Sequence, residues 1–198
     1  NIRRFLDDPV APCEITHPVN FRIPYLRPAV AITLLDAVAA NVRRQVSDFR
    51  LFDFGKAYGR TESGTAWEGD EIAWVQSGRP GGPGWTGRPK ETDPYENYYD
   101  ARGAVEGFFQ RLGLPVEISA AAKDLTMGVM AIARISLNGR ALGMILQITP
   151  DRLVAAFRGA EGKNLTEDVF SLFSALKRIR HPVWIVTIAT NRIPEATQ

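Results

Sequence analysis

Residues suited to metal binding or nucleophilic chemistry are scarce in this sequence. The 198 residues include two histidines, His17 and His181, and one cysteine, Cys13. The histidines are far apart in the chain and each precedes a proline, so they cannot combine with one cysteine into a structural zinc site of histidines and cysteines alone. A single cysteine cannot form an internal disulfide, which is typical of a reducing compartment. We therefore expect no metal site, structural roles for both histidines and a cytoplasmic location.

The motifs of several common enzyme classes are missing. The sequence has no GxxxxGK[ST], HExxH or GxSxG motif, and no GxGxxG motif at the start of a predicted helix. These motifs carry the phosphate loop of nucleotide hydrolases, the zinc site of metalloproteases, the nucleophile of α/β-hydrolases and the pyrophosphate contacts of dinucleotide-binding proteins. The sequence therefore identifies no catalytic residue.

Acidic clusters are the remaining candidates for acid–base or metal chemistry. A carboxylate pair can transfer protons or hold a divalent cation. The three clusters are Asp7–Asp8, the group of Glu68, Asp70 and Glu71, and Glu91 with Asp93. All three fall in loop-like text without apolar neighbours that would shift a pKa, so we interpret them as solvated surface charge.

Arginines offer two candidate anion contacts. Arg27 precedes Pro28 between an extended segment and a helix, where its guanidinium could bind a carboxylate or phosphate, or brace the strand-to-helix turn. Local chemistry favours the brace. Arg43 and Arg44 lie near the end of the same helix, where the helix dipole favours positive charge. They are also a candidate RNA contact.

Composition is typical of a folded globular domain. Hydrophobic residues make up 45% of the chain and charged residues 23%, with a net charge of +2, which excludes an intrinsically disordered chain. A balance this close to neutral argues against binding through charge alone, and we expect no DNA partner. No apolar run reaches the roughly 20 residues that cross a bilayer, so we expect no membrane partner. The length predicts one domain over residues 1–198, and the first residue, Asn1, indicates a fragment of a longer chain.

Periodicity predicts a helix and two strands in the first half. Residues 28–46 carry apolar side chains every three or four positions, with Pro28 in the first turn, which indicates an amphipathic helix. Residues 48–60 alternate as in a strand, and one face is strongly aromatic. A polar turn over residues 61–69 and a second strand over residues 71–78 follow.

The second half begins with a long surface loop, predicted over residues 79–97 from its glycines and prolines. A helix then ends at Gly113, and a short strand, VEIS, follows. Two alternating apolar runs joined by Asn138-Gly139 predict a tight hairpin.

The last third of the chain predicts helices over residues 150–158 and 165–178, then a final buried strand with the sequence HPVWIVTIAT. Hairpins predominate and regular strand–helix–strand alternation is missing. The fold class is therefore α+β, with an antiparallel sheet flanked by helices.

Several segments resemble those of a known family and stand in the same order. The text PYLRPAVAITLLDAVAANVRRQVSDFRLFDFGKAY is similar to a segment with LR[TP]SLLPGLL, a helix ending in NLNRG, and RLFEIGRVF. WVQSG resembles LAGLLSG, YYDARGAVEGFFQRLGL resembles DFFDAKGDVEALLEALGL, and LNGRALGMILQITPDRL resembles LNGKVIGYLGELHPELL. The family with these motifs is the β chain of bacterial phenylalanine–tRNA ligase, and the likeness covers about residues 18–176.

The resemblance implies a class II aminoacyl-tRNA synthetase-like core that is not itself the active site. In that family an α chain activates phenylalanine with ATP and Mg²⁺, and the β core pairs with it in a cytoplasmic (αβ)₂ heterotetramer that charges tRNA(Phe). The resemblance therefore implies an α-chain partner, tRNA(Phe) bound through the whole assembly, and no cofactor held by this fragment.

The residues agree with a non-catalytic module. An active class II site needs one arginine in an FRxE strand and another in a GxER motif to stabilise the phosphate charge of ATP. The corresponding strand reads FDFGKAY, and no GxER occurs. The family's HPGRSA segment is replaced by MGVMAIA at residues 127–133, and His17 stands where Asn is usual. These departures leave open a divergent β chain or a paralogue.

The residues expected to matter are therefore scaffold and interface residues. Arg27, beside Pro28, would anchor the first helix. The buried face of that helix would consist of Leu34, Leu35 and Val38, and the strand behind it would be built by Phe52, Phe54 and Tyr58.

Two other functions remain open. The first is a stand-alone class II-like adenylating enzyme with an unconventional ATP site that uses Arg50, Lys56 or Arg102. The second is an RNA-binding paralogue that uses Arg43 and Arg44.

Overall fold

A computed structural model describes residues 13–19, 25–46, 48–61, 63–78, 98–124, 129–148, 174 and 182–193. The elements are, in chain order, α1 (Val30–Arg43), β1 (Phe49–Arg60), β2 (Ala66–Ser77), α2 (Tyr98–Arg111), β3 (Val116–Asp124), β4 (Val129–Leu137), β5 (Arg140–Ile148) and β6 (Val183–Ala189). The six strands form one sheet in the order β1-β2-β6-β5-β4-β3, and all neighbouring strands are antiparallel. The α+β class with an antiparallel sheet and flanking helices is confirmed.

The helix α1 begins two residues after Pro28, as its periodicity predicts. Its first backbone amide, on Val30, donates a hydrogen bond of 2.9 Å to the Glu71 carboxylate of β2. A carboxylate at this position satisfies an orphan N–H and complements the positive end of the helix dipole. The residues buried on its inner face are Val30, Ala31, Leu34, Val38, Ala39 and Val42.

The β1–β2 hairpin is longer than the sequence suggests. Residues 66–69, which the sequence places in a turn, belong to β2 and pair with residues 57–60 of β1. The polar side chains of this stretch suggested a loop, but strand pairing depends on the partner across the hairpin rather than on local polarity. The acidic residues Glu68, Asp70 and Glu71 therefore lie on a strand, and their assignment to loop text is wrong.

The other local predictions describe the second half well. The helix α2 is followed by Gly113 at φ +69°, the left-handed conformation of a helix stop. The turn between β4 and β5 has Asn138 at φ 50° and Gly139 at φ 77°, as a tight hairpin turn requires. The strand VEIS is also present, extended to Asp124 as β3.

The final predicted strand, β6, lies in the middle of the sheet between β2 and β5. All seven of its residues are buried. A strand that is covered on both faces needs no polar alternation, and VWIVTIA is nearly all apolar for that reason.

The sheet has one helix on each face. The α1 side forms a core with residues such as Ala73, Val75 and Ile185. On the opposite side, α2 packs on β6 through Phe109 and Trp184. The α2 core extends towards β5, β4 and β3, so β1 and β2 are covered mainly on the α1 side.

The prediction that Phe52 and Phe54 build the strand behind α1 is wrong. The β1 residues that pack on the α1 side are Phe49 and Leu51. Phe52 and Phe54 project from the opposite face and are 78% and 60% exposed. The alternating pattern of β1 predicts two faces, and the prediction places the aromatic face against α1. In the structure the other face, which has smaller residues such as Gly55, lies against α1.

Some predictions fall outside the described residues. These are the loop over residues 79–97, the helices over residues 150–158 and 165–178 (where only Ser174 is described, as helical), and His181. Within the described part of the chain, no helix combines the length and apolar character needed to span a membrane.

Candidate interaction surface

Arg27 joins the start of α1 to β1. Its Nε donates to the Lys56 carbonyl at 2.9 Å, and its Nη1 donates to Asp53 Oδ2 at 2.9 Å and to Thr33 Oγ1 at 3.2 Å. The backbone of the same residue takes part, because the Tyr58 amide donates to the Arg27 carbonyl at 3.0 Å. Arg27 thus contacts both the helix and the strand, in the geometry expected of a brace.

Gly55 makes room for this contact. A Cβ placed on Gly55 would lie 2.1 Å from Nη2 of Arg27. Any larger residue would displace the guanidinium from β1, so the glycine and the arginine form one structural unit.

The residues of the helix prediction occupy the expected places. Leu34 and Val38 are buried against the sheet, and Leu35 is partly buried against the same core. Pro28 precedes the first helical residue. The predicted scaffold residues therefore form two groups: those on the buried face of α1, and the exposed phenylalanines of β1.

The side of β1 and β2 that faces away from α1, which we call the open face, carries the exposed Phe52 and Phe54 of β1 and the partly buried Ile72 and Trp74 of β2. Phe52 lies opposite Trp74 in the strand register, and Phe54 lies opposite Ile72. Exposed phenylalanines beside partly buried apolar side chains are typical of a surface that binds another protein or ligand.

A groove of about 500 Å³ runs between the open face and α2. Ile72 and Trp74 line it on the sheet side, and Ala104 and Phe108 line it on the helix side. The indole Nε1 of Trp74 is buried and has no hydrogen-bond partner among the described residues. The groove is therefore largely apolar, with one buried donor close to it.

An exposed ion pair stands among the groove residues. Arg50 Nη2 lies 3.4 Å from Asp100 Oδ2, and both residues line the groove. The two side chains are more than a third exposed, so solvent screening makes their mutual attraction weak.

A second set of charges lies further along β1. Lys56 Nζ contacts the Glu68 carboxylate and lies 3.6 Å from Asp70 Oδ1. The hydrogen bond with Glu68 holds the pKa of Lys56 above its ordinary value, and the negative charge of Asp70 acts in the same direction against desolvation. On α2, a hydrogen bond with Glu106 likewise raises the pKa of Arg102.

Arg43 and Arg44, the candidate RNA contact, lie exposed at the C-terminal end of α1. Tyr58 is half-buried near the far end of β1, where its backbone contacts Arg27. The structure thus places Tyr58 beside the Arg27 junction and Phe52 beside the groove.

Sequence reasoning missed the side chains that complete the groove. Ala104 carries no chemical signal, and Ile72 and Trp74 read as ordinary strand residues. Of the two adjacent phenylalanines of α2, Phe109 is fully buried, whereas Phe108 is only partly buried and lines the groove. The spacing of α2 is the one usable signal, since adjacent residues of a helix do not face the same direction and are not buried equally.

Over the part of the chain that the structure describes, no three side chains of His, Cys, Asp or Glu lie together in a way that could hold a metal ion.

The sequence has a defined family relationship. Residues 2–157 match the family model for the phenylalanyl tRNA synthetase beta chain CLM domain. The chain belongs to this family. The matched range includes the Arg27 junction and the groove, whereas β6 lies beyond it. The predicted resemblance to the β chain of phenylalanine–tRNA ligase is therefore confirmed.

Individual relatives carry the same description. The phenylalanine–tRNA ligase beta subunit of Thermosynechococcus vestitus is 28% identical over 136 residues, which are 69% of this chain and 16% of the relative. That of Geobacillus kaustophilus is 29% identical over 151 residues, 74% of this chain and 18% of the relative. That of Fusobacterium nucleatum is 25% identical over 170 residues, 84% of this chain and 21% of the relative. The chain thus spans about a fifth or less of the length of these curated relatives.

Proposed function

We propose that this chain is the synthetase-like core of a phenylalanine–tRNA ligase β subunit and that it pairs with an α subunit to support the charging of tRNA(Phe) with phenylalanine. The observation that carries the proposal is the family match over residues 2–157, together with the relatives named above, which are β subunits of this ligase. In this proposal the core resembles that of class II synthetases, the assembly is a cytoplasmic (αβ)₂ heterotetramer, and ATP and Mg²⁺ bind through the α subunit.

The groove supplies a surface suited to a protein partner. Its lining includes Phe52, Trp74 and Phe108, and aromatic residues are enriched at the centres of protein interfaces. Arg50 and Asp100 would lie at the rim, where charges guide orientation more than they add affinity. We assign this groove to the α subunit.

The proposal that the module is non-catalytic rests on how its cations are used. An adenylating site needs positive side chains that are free to stabilise phosphate charge. Each of the three cations that the enzyme alternative would use contacts a carboxylate of this chain. The pairs are Arg50 with Asp100, Lys56 with Glu68 and Asp70, and Arg102 with Glu106.

The test is co-expression of this chain with the α subunit from the same source, followed by the mass of the purified complex. Phenylalanine-dependent ATP–pyrophosphate exchange is then measured on the chain alone and on the complex. A mixed complex, with exchange only when the α subunit is present, supports the proposal. Exchange by the chain alone would favour the adenylating alternative, in which Arg50, Lys56 or Arg102 acts on ATP.

The RNA-binding alternative predicts a different result in these experiments. If the chain ignored the α subunit but bound tRNA with a steep salt dependence, the exposed pair Arg43 and Arg44 would become the relevant site. Replacing both by Ala should then reduce tRNA binding. Under the proposal made here, the same double replacement leaves association with the α subunit unchanged.

A further inference from the structure

The outer side of β1 is an edge of the sheet, because β1 pairs with β2 on one side and stands at the end of the strand order. In an antiparallel ladder, alternate residues direct both their N–H and C=O groups to the same side. Thr61 donates to the Thr65 carbonyl across the hairpin, so odd-numbered residues bond to β2. Lys56 and Tyr58 bond instead to Arg27, on the outer side. Even-numbered residues of β1 therefore direct their backbone groups outwards.

The outer edge is divided into two parts. Arg27 covers the part at Lys56 and Tyr58. Within the described residues no strand lies outside the part formed by Arg50, Phe52 and Phe54. The same three residues direct their side chains to the open face. This part of the edge therefore combines available backbone groups with exposed aromatic rings.

Exposed edge strands are normally protected by charge, proline, a bulge or a covering segment, since they otherwise pair with another strand. β1 is 12 residues long and pairs with β2 without a register shift, so no bulge bends it away. Of the three outward residues of the free stretch, only Arg50 is charged, and the other two are Phe52 and Phe54. The edge is suited to the addition of a further strand.

We propose that the Arg50–Phe54 edge pairs with the same edge of a second copy of this chain, in an antiparallel, two-fold arrangement centred on Phe52. Phe52 would face Phe52 of the second copy, and Arg50 would face Phe54. Each facing pair would exchange two backbone hydrogen bonds. The sheet would thereby continue from one copy into the other through an isologous interface.

The register of the proposed strand pairing is limited by the residue that already contacts the outer edge of β1. Arg27 uses Lys56 and Tyr58, so only the stretch from Arg50 to Phe54 remains for a partner. A two-fold pairing of that stretch with itself has its centre at Phe52. A shift by one hydrogen-bonded step would place Arg50 opposite Lys56, and like charges directly opposite each other are unfavourable.

The side chains fit this register. The guanidinium of Arg50 would lie beside the ring of Phe54 from the second copy, a cation–π contact. The contact between Arg50 and Asp100 spans 3.4 Å between exposed groups, so Arg50 can turn towards the new partner at little cost. The two Phe52 rings would form a cross-strand aromatic pair. The inference concerns the backbone edge of β1, but the side chains of Arg50 and Phe52 also line the groove assigned to the α subunit, so dimerisation is measured on the chain without the α subunit.

The register is tested by disulfide cross-linking of Phe52→Cys. Facing residues of a hydrogen-bonded pair have Cα atoms about 5.5 Å apart, within the range of roughly 4.4–6.8 Å that a disulfide spans. In the control, Phe54→Cys, the two new cysteines would stand four residues apart along the paired strands, roughly 14 Å at the strand rise. We expect mild oxidation to give a covalent dimer with Phe52→Cys only. The unchanged chain, whose Cys13 is buried, controls for background.

The second measurement is the mass of the uncross-linked chain by sedimentation equilibrium, with amide exchange on the same samples. We expect a concentration-dependent dimer in which the amides of Phe52 and Phe54 gain protection. The amides of Leu51 and Asp53 should be protected at every concentration, since they bond to β2. Phe52→Lys should weaken the dimer about tenfold or more, because it removes the aromatic pair and places like charges opposite each other.

Phe52→Pro removes one outward N–H without touching the β1–β2 ladder, and it should give a folded monomer. If Phe52→Pro fails to fold, the weaker dimerisation expected of Phe52→Lys tests the same contact. A chain that stays monomeric at about 0.5 mM would overturn the proposal, since strand addition of this kind should be populated at that concentration. Protection of the Phe52 amide at every dilution would also overturn it, because another segment of the same chain would then cover the edge. Faster cross-linking of Phe54→Cys than of Phe52→Cys would contradict the proposed register.

Discussion

The guanidinium of Arg27 lies over the backbone of Gly55, and a Cβ placed on Gly55 would come within 2.1 Å of Nη2. From this position Arg27 reaches Asp53, Thr33 and the Lys56 carbonyl. The relationship connects a residue before α1 with the middle of β1. It thereby fixes how the helix lies relative to the open face.

We expect Gly55→Ala to destabilise the chain because the new methyl group displaces the Arg27 guanidinium. Apart from the lost Arg27 contacts, the substitution should change stability little. Gly55→Ala and Arg27→Ala should each lower the free energy of unfolding by about 1–2 kcal/mol, and the double variant should lose little more than either one. Urea unfolding of the four proteins measures this. Gly103→Ala, on α2 with open space around it, is the control and should be neutral or slightly stabilising. Full additivity of the first two changes would contradict a shared mechanism.

Glu71 should stabilise the start of α1. Its carboxylate accepts a hydrogen bond from the Val30 amide at 2.9 Å. Glu71→Ala should cost about 0.5–2 kcal/mol, as does loss of a helix cap, and Glu71→Gln should cost less because an acceptor remains. Glu68→Ala, on the other face of the same strand, should change stability by under about 0.5 kcal/mol because its ion pair is exposed. Equal losses for Glu71→Ala and Glu68→Ala in thermal unfolding would argue against the cap.

The ion pairs of Lys56 should make a pH-dependent contribution to stability. The pKa of Lys56 in the folded chain lies above its ordinary value of 10.5, because of its hydrogen bond with Glu68. The contribution is therefore fully present below about pH 10.5 and is lost as the pH rises through the folded pKa. We expect the difference in unfolding midpoint between wild type and Lys56→Gln to be smaller at about pH 11.5 than at about pH 9, and to be smaller in high salt than in low salt. A difference that is constant with pH would instead indicate packing of the lysine stem.

Gly139 should be needed for its backbone conformation alone. Its φ is 77°, and a Cβ there would meet nothing within 4 Å. Gly139→Ala should therefore cost about 1–2 kcal/mol through left-handed backbone strain. Asn138→Gly, next to it in the same turn, should be close to neutral. The urea unfolding midpoints of the two variants test this. Backbone strain lowers the midpoint of Gly139→Ala alone, whereas a side-chain contact in the turn would make both variants less stable.

Local patterns predicted the elements whose signals are local. The helix α1 has a proline at its start and an apolar stripe, and the β4–β5 hairpin has Asn138-Gly139 at its turn. The burial of β6 follows from its unbroken apolar text. Each of these signals lies within a few residues of the element it describes.

Non-local contacts determined what the sequence did not predict. Phe52 and Phe54 gave β1 a recognisable aromatic face, but nothing within the strand indicates on which side α1 packs. That side carries Gly55, which the arginine before α1 requires. Likewise, the capping role of Glu71 depends on a helix 41 residues away in the chain. The groove combines β1, β2 and α2, so it could not be predicted from any one of them.

If the groove between the open face and α2 binds the α subunit, a bulky charged side chain placed in it must weaken that binding. The most direct measurement is the affinity of the α subunit for Ala104→Arg, whose new side chain would enter the groove, against Gly103→Arg on the same helix, where a side chain meets open space. Both variants add one positive charge, and arginine is a good helix former at either position. We expect Ala104→Arg to weaken binding about tenfold or more, and Gly103→Arg to bind as wild type does. Equal affinity of the two variants, both close to wild type, would contradict the account.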